Sequence, residues 1–324
     1  MVDKKRFIIL DANSLIHRAY HALPPLTAKT GQLANAVYGF SLILLKTIKD
    51  FKPDYIASAF DFPAPTFRHH AYKEYKATRV RAPDDFYAQI PIIKDILKAC
   101  SIKIFEQKGF EADDIIGTIT AAITRKREDL EFIILSGDLD FLQLVDSQTK
   151  VYALKKGVTD IVIYDKERVG EKYEGLSPAQ LIDLKALKGD PSDNIPGLKG
   201  VGEKTALSLI KEFGSLEKLY NKLKTNQAEI LALKKKLKET LVSQKDIAFL
   251  GRELVKIRRD VPLEFHIEEC IFLRPDPQKL DAIFEGMGFK SLVGRLGGVN
   301  KPSLKKRPKP KKQTDEIRKE LPLW

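Results

Sequence analysis

The sequence predicts an α/β core followed by an all-helical region, and three observations carry that expectation. Apolar runs of strand length alternate with stretches of helical period up to about residue 190. Three of those runs end on an aspartate. From about residue 197 the strand-like runs disappear and helical patterns take over. Alternation of this kind builds a sheet with helices on both faces, and a strand buried on both faces reads as a nearly unbroken apolar run.

The elements follow in order. The run RFIILD (6–11) is the first strand and ends on Asp11. A helical pattern over 34–50 leads to YIASAFD (55–61), ending on Asp61. The stretch 62–85 mixes Arg68, Lys73, Lys76, Arg79 and Arg81 with Phe67, Tyr72 and Tyr75. Basic groups among aromatics suit a nucleic-acid single strand; a solvated surface helix reads the same way. A helix over 86–99 and a strand over 102–106 come next. The helix over 112–127 opens with Gly109-Phe110-Glu111-Ala112-Asp113-Asp114, placing Glu111 and Asp114 on one face with Asp113 beside them. Acids in a first turn also complement the helix dipole. The strand 132–136 belongs to FIILSGD, which ends on Asp138, and Asp140 follows two residues later. After a strand at 150–154 and a helix at 178–187, Gly189-Asp190-Pro191-Ser192-Asp193-Asn194 sets two more acids in a turn-rich loop, where capping is the ordinary role. The glycines of Gly197-Leu198-Lys199-Gly200-Val201-Gly202 permit a tight hairpin, and its N–H groups and the next helix N-terminus can approach a phosphate. A long basic helical stretch covers 227–250.

The chemistry lies in the acids. Strand carboxyl ends face the crevice where open α/β sheets bind ligands. Carboxylates gathered on one rim repel and resist desolvation unless cations neutralise them, and hard divalent ions such as Mg²⁺ or Mn²⁺ suit oxygen ligands. No residue type here points to a covalent nucleophile, which leaves water. His17, His21, His69, His70 and His266 have no metal-ligand spacing with the acids. The net charge of +12 calls for a polyanionic partner. Residues 301–324 carry nine Lys or Arg against three Asp or Glu, so half of that excess lies there. Cys100 and Cys270 are too few and too far apart for a disulfide framework or zinc site, which fits a reducing compartment. With no signal peptide or membrane-length apolar run, the expected location is the cytoplasm, near the nucleoid, with no membrane partner.

The ordered set Asp11, Asp61, GFEADD, SGDLD, GDPSDNIPG and GLKGVGEKTA resembles the 5′-nuclease domain of bacterial DNA polymerase I, a branch of the flap-endonuclease family. HALPPLT (21–27), AVYGF (36–40), PTFRHHAYKEYKATR (65–79) and DVPLEF (260–265) fit the same pattern, so the likeness spans roughly residues 5–295. Two small departures are DANS in place of an Asp-Gly opening and Leu139 where lysine is usual. The resemblance implies a PIN-like or resolvase-like nuclease core over 1–190, with a helical arch at about 62–85, and a helix–hairpin–helix DNA-binding region over 191–295. The proline- and lysine-rich stretch within 296–324 is expected to be a disordered tail.

The resemblance further implies two Mg²⁺ ions, with Mn²⁺ as a substitute. Asp11, Asp61, Glu111, Asp113 and Asp114 would form one side of the cluster, and Asp138, Asp140, Asp190 and Asp193 the other. Lys76 and Arg79 would steady charge on the scissile phosphate. Arg68, Tyr75, Lys76, Arg79, Gly197, Gly200, Gly202 and Lys204 would contact DNA, with K⁺ at the hairpin. The implied substrate is a 5′ flap or a nicked or gapped duplex, including RNA primers, cut in replication and repair. A PIN-type ribonuclease and a non-catalytic junction binder are the alternatives. The end Glu320-Leu321-Pro322-Leu323-Trp324 resembles the peptides that replication proteins insert into a sliding clamp. A polymerase acting in trans and a monomeric state complete the expectations.

Overall fold

The computed structural model describes residues 4–157, 160–225, 230, 233–273 and 275–295. The tail 296–324, with the clamp-like peptide Leu321–Trp324, lies outside them. One six-stranded sheet organises the core, with β1 Lys5–Asp11, β2 Tyr55–Ala59, β3 Lys103–Phe105, β4 Leu130–Ser136, β5 Thr149–Lys156 and β6 Asp160–Tyr164. Their order is β3-β2-β1-β4-β5-β6. The first five are parallel, and β6 runs antiparallel at the edge. The chain builds outward from β1 to β2 and β3, then returns to place β4 on the other side of β1. The sheet therefore has its switch point between the carboxyl ends of β1 and β4, the place where open α/β sheets bind ligands.

Alternation along the strands divides the interior in two. Phe7, Ile9, Ala57, Phe132 and Ile134 face the helix α6, Ala112–Thr124, through its Ile115, Ile116 and Ile119. Ile8, Leu10, Ile56, Ile133 and Leu135 face the other way, onto α1 (Ala12–Ala22), α2 (Asn35–Phe51) and α5 (Ile90–Ala99). Both faces are covered, as the unbroken apolar strands require. Strand β6 is not among the expected elements: its half-buried DIVIY alternates weakly.

Between β2 and α5 the chain makes α3 (Phe67–Ala71), a run of turns through Thr78, and α4 (Asp84–Tyr87). After α7 (Lys166–Lys172) the helices α8 (Gln180–Lys188), α9 (Glu203–Phe213) and α10 (Leu216–Thr225) form the helical region. The basic helical stretch expected over 227–250 is helical in two pieces among its described residues: Lys235–Ser243 and Lys245–Val255 meet at Gln244. The last helix, Pro277–Met287, buries Leu280, Phe284 and Met287 in the core beside α2 and α5. The C-terminal part of the described chain thus returns to the first layer.

Candidate active site

Asp11 ends β1 and caps α1: one carboxylate oxygen accepts from the Ser14 main chain at 3.3 Å, the other from the Ser136 hydroxyl at 2.5 Å. Ser136, the last residue of β4, also accepts from the Asp138 N–H at 2.8 Å. One hydroxyl therefore ties together the two strand ends at the switch point. Asp61 lies just past β2. Its N–H donates to the Asn13 side chain at 3.1 Å, and its carboxylate accepts from the Ala112 N–H at 2.7 Å, pinning β2 to the start of α6. Glu111 caps α6 and Asp113 sits in its first turn. Asp193 arrives from the loop after α8, as the last residue of a short 3₁₀ turn capped by Asp190.

The outcome is a cleft of about 610 Å³ lined by Asp11, Asp61, Glu111, Asp113, Asp138 and Asp193 together with Lys76 and Arg79. Six of the nine expected acids meet there. Burial raises the Asp11 carboxyl to about 7, helped by the charges of Asp138 and Asp61 and opposed by the Ser136 hydrogen bond. Burial also pushes Asp113 well above the carboxylate range, with Asp11, Asp138 and Glu111 adding repulsion. Asp61 rises as well: solvent reaches it from the cleft, yet most of its surroundings are protein, and Glu111 lies close. Crowded carboxylates that resist ionising are what a divalent cation relieves, so oxygen-ligated Mg²⁺ or Mn²⁺ fits this donor set. Among the described residues, no three side chains converge on one point as ready-made ligands. Protein cations pair with two of the cleft acids, Glu111 and Asp193.

These cations come largely from the basic stretch. Lys76 has its backbone in the left-handed region at φ 56, held by its N–H on the Asp193 carbonyl at 2.9 Å. Its ammonium reaches Glu111 at 2.8 Å. Arg79 pairs with the Asp193 carboxylate and donates to the Ser192 carbonyl at 3.3 Å. The Tyr75 hydroxyl bridges Glu111 at 3.0 Å and Asp193 at 3.2 Å.

Other expected site residues are placed differently. Asp114 is buried and turned away from the cleft. Arg68 grips it through two hydrogen bonds of 2.7 and 2.8 Å, and Arg68 also donates to the carbonyls of Leu254 and Lys256. Asp114 is a structural counter-ion here and not a cleft ligand. Arg68, 2% exposed with its donors engaged, holds the C-terminal segment to α6 and does not line the cleft. Tyr75, 3% exposed, cannot stack on a base in this arrangement; it positions two acids. Asp140 and Asp190 sit beside the cleft, where Lys185 of α8 pairs with both. Burial raises Asp140 to about 7 despite that lysine. Burial works against Asp190 too, but Lys185 and Ser192 prevail and hold it low.

The hairpin divides in the same way. A side chain at Gly197 would meet the Lys188 carbonyl at 2.3 Å, so this glycine exists for close backbone packing against α8, not for an approaching phosphate. Gly200, at φ 81, and Gly202 have nothing within 4 Å of where a side chain would start, and Lys204 is exposed beside them. These three form an open surface at the start of α9.

A family model described as the N-terminal resolvase-like domain of 5′-3′ exonuclease matches residues 6–174, and one described as its C-terminal SAM fold matches 176–278. The chain belongs to the 5′-3′ exonuclease family. It is 43% identical over 297 residues to DNA polymerase I of Bacillus subtilis (strain 168), a match covering 92% of this chain and 33% of that one. DNA polymerase I of Bacillus caldotenax is 40% identical, over 90% of this chain and 32% of its own length. The chain thus spans about a third of these curated relatives. Among solved structures, the T5 D15 flap endonuclease in a pseudo-enzyme-product complex with DNA and metal ions aligns with a TM-score of 0.65 at 19% identity, covering 90% of this chain and 97% of that one. The catalytic core of Rad2 with a DNA substrate aligns at 0.55 and 18% identity, covering 90% and 93%. These likenesses share the fold: a mixed sheet with a helical C-terminal region.

Several residues of this exonuclease-family site carry no motif of their own in the sequence. Ser136, Asn13 and Ser14 orient the acids, and Lys185 neutralises two of them. Ser136 and Ser14 lie within three residues of Asp138 and Asp11 in the sequence, and short polar residues at strand ends are a fair signal for such roles. Lys185 carried none, since its partners lie 45 and 5 residues away.

Proposed function

We propose that this chain is a structure-specific 5′ nuclease that hydrolyses DNA phosphodiesters at 5′ flaps and nicks, with divalent cations and water as nucleophile. The observation that carries the reading is the convergence of six carboxylates on one cleft at the sheet's switch point, with two basic side chains on its wall. Asp11, Asp61, Glu111 and Asp113 would hold cation on one side, and Asp138 and Asp193 on the other, with Asp140 and Asp190 in reserve behind Lys185. Magnesium ions, or manganese in their place, would lower the pKa of water and offset charge on the attacking and leaving oxygens.

The chain's own residues do the rest. Ser136 and Asn13 fix the orientation of Asp11 and of the segment bearing Asp61. Tyr75 keeps Glu111 and Asp193 at a set separation. Lys76 and Arg79 rest on Glu111 and Asp193, from which they can turn to a phosphodiester and stabilise charge as it develops there. Gly200, Gly202 and Lys204 offer N–H groups and an ammonium to the duplex backbone, a grip indifferent to base sequence. Potassium at that open hairpin, a polymerase and a sliding clamp as partners, and RNA primers as substrates belong to the same reading.

The test is a labelled 5′-flap duplex incubated with the protein, with and without Mg²⁺. Flap release that stops on chelation while binding persists is the expected result. Cleavage in chelator would end the metal assignment, binding without cleavage would favour the junction binder, and cleavage restricted to RNA would favour the ribonuclease.

A further inference from the structure

Lys185 stands apart from the other cations of the site. It lies in the last turn of α8, and its ammonium touches Asp190 at 2.7 Å and Asp140 as well. Asp140 begins the turn after β4, and Asp190 begins the loop after α8, so one side chain spans the two segments. All three side chains are largely buried, at 24%, 18% and 10% exposure. Nothing in this environment resembles an exposed, screened ion pair. Without an intervening cation, two carboxylates at this separation would drive the segments apart.

We infer that Lys185 is a built-in counter-ion that holds Asp140 and Asp190 in place and competes with a divalent cation for them. The inference rests on the metal-dependent reading above. A lysine ammonium sits on a flexible four-carbon stem with three rotatable donors, so it can withdraw without disturbing the helix that carries it. Any ion drawing on Asp140 or Asp190 must displace this ammonium, and its affinity is lowered by that competition. Lys185 is accordingly a positioning residue. It keeps the two loops assembled when cation is scarce and sets the concentration at which cation takes over.

The probe is Mn²⁺ alone, titrated by calorimetry and by the loss of the free-ion magnetic resonance signal, against the native chain, Lys185→Met and Lys185→Arg. Thermal melting is recorded for each with and without the ion. Lys185→Met should bind Mn²⁺ about tenfold more tightly, a factor equivalent to about 1.4 kcal/mol. It should also melt lower in chelator and gain more on addition of Mn²⁺. Lys185→Arg, which keeps the charge, should behave like the native chain. If Lys185→Met is unfolded in chelator, recovery of its fold by Mn²⁺ supports the competition, and failure to recover overturns it. Equal Mn²⁺ affinity in native and Lys185→Met proteins overturns the inference while leaving the metal reading intact. No Mn²⁺ binding by the native chain overturns both.

Discussion

At the scale of single residues, the cleft sorts acids that look alike in sequence. Asp138 and Asp193 face open cleft, and Asp138→Ala or Asp193→Ala is expected to abolish flap cleavage. DNA affinity should stay within a few-fold, because phosphate contacts supply most of the binding free energy. Gel-shift and single-turnover assays on one flap duplex check both halves, and Mg²⁺-dependent turnover by either variant would sink the assignment. Asp114 should behave otherwise. Asp114→Ala leaves the Arg68 guanidinium buried without its bidentate partner, and breaking such a pair costs about 3–5 kcal/mol. Urea denaturation should show that loss, and unchanged stability would refute the structural role. Lys76→Ala should lower the single-turnover rate far more than affinity, since its proposed partner is charge that appears in the transition state. The exposed Arg81, which pairs with Asp84 and lies over the Tyr87 ring away from the cleft, is the control. The difference between Glu111 and Asp114 could not be seen in GFEADD. Arg68, 46 residues before Asp114, takes Asp114 as its bidentate partner and reaches Glu111 only through one longer contact of 3.4 Å, and pairings over that distance leave no local pattern. The strand-end aspartates were legible for the opposite reason: an apolar run and the direction of the chain decide where they go.

At the scale of elements, the glycines of the hairpin show the same limit. In sequence, Gly197, Gly200 and Gly202 are equal candidates for a phosphate-binding turn. In the fold, Gly197 packs its backbone on Lys188 and Gly189, while Gly202 is open. Gly197→Ala should therefore destabilise the helical region by about 1–3 kcal/mol, the usual cost of overpacking. Gly202→Ala should leave stability within about 0.5 kcal/mol, as expected for an open surface position. Paired thermal melts distinguish the two, and equal melting temperatures would mean the close approach at Gly197 is relaxed in solution. The central strands β1, β2 and β4 were legible because burial on both faces leaves an unbroken apolar signature. The edge strand β6 was not, since it is half-exposed and carries a weak alternation. The break at Gln244 leaves no local mark either, because no proline or glycine stands between Lys235 and Leu250.

At the scale of the whole molecule, the acidic cleft is carried by a basic protein, and the two charges act on different quantities. The cleft decides chemistry at a few ångströms. The net +12 decides how strongly a polyanion is drawn in and how steeply that attraction falls with salt. Half of the excess lies in residues 301–324, far along the chain from every residue assigned to the cleft. Each phosphate neutralised contributes a slope of about −0.9 to the dependence of log affinity on log salt for duplex DNA. Removing 301–324 should therefore make the salt dependence of flap-duplex binding shallower by several such contacts. It should weaken binding most at low salt and leave the single-turnover rate at saturating DNA within about twofold, since no cleft residue is lost. Fluorescence anisotropy between low and moderate salt, paired with quench-flow cleavage, reads the two quantities separately. An unchanged salt slope would show that the nuclease body alone carries the DNA contacts. A large fall in cleavage rate at saturation would show that the basic end reaches the chemistry itself.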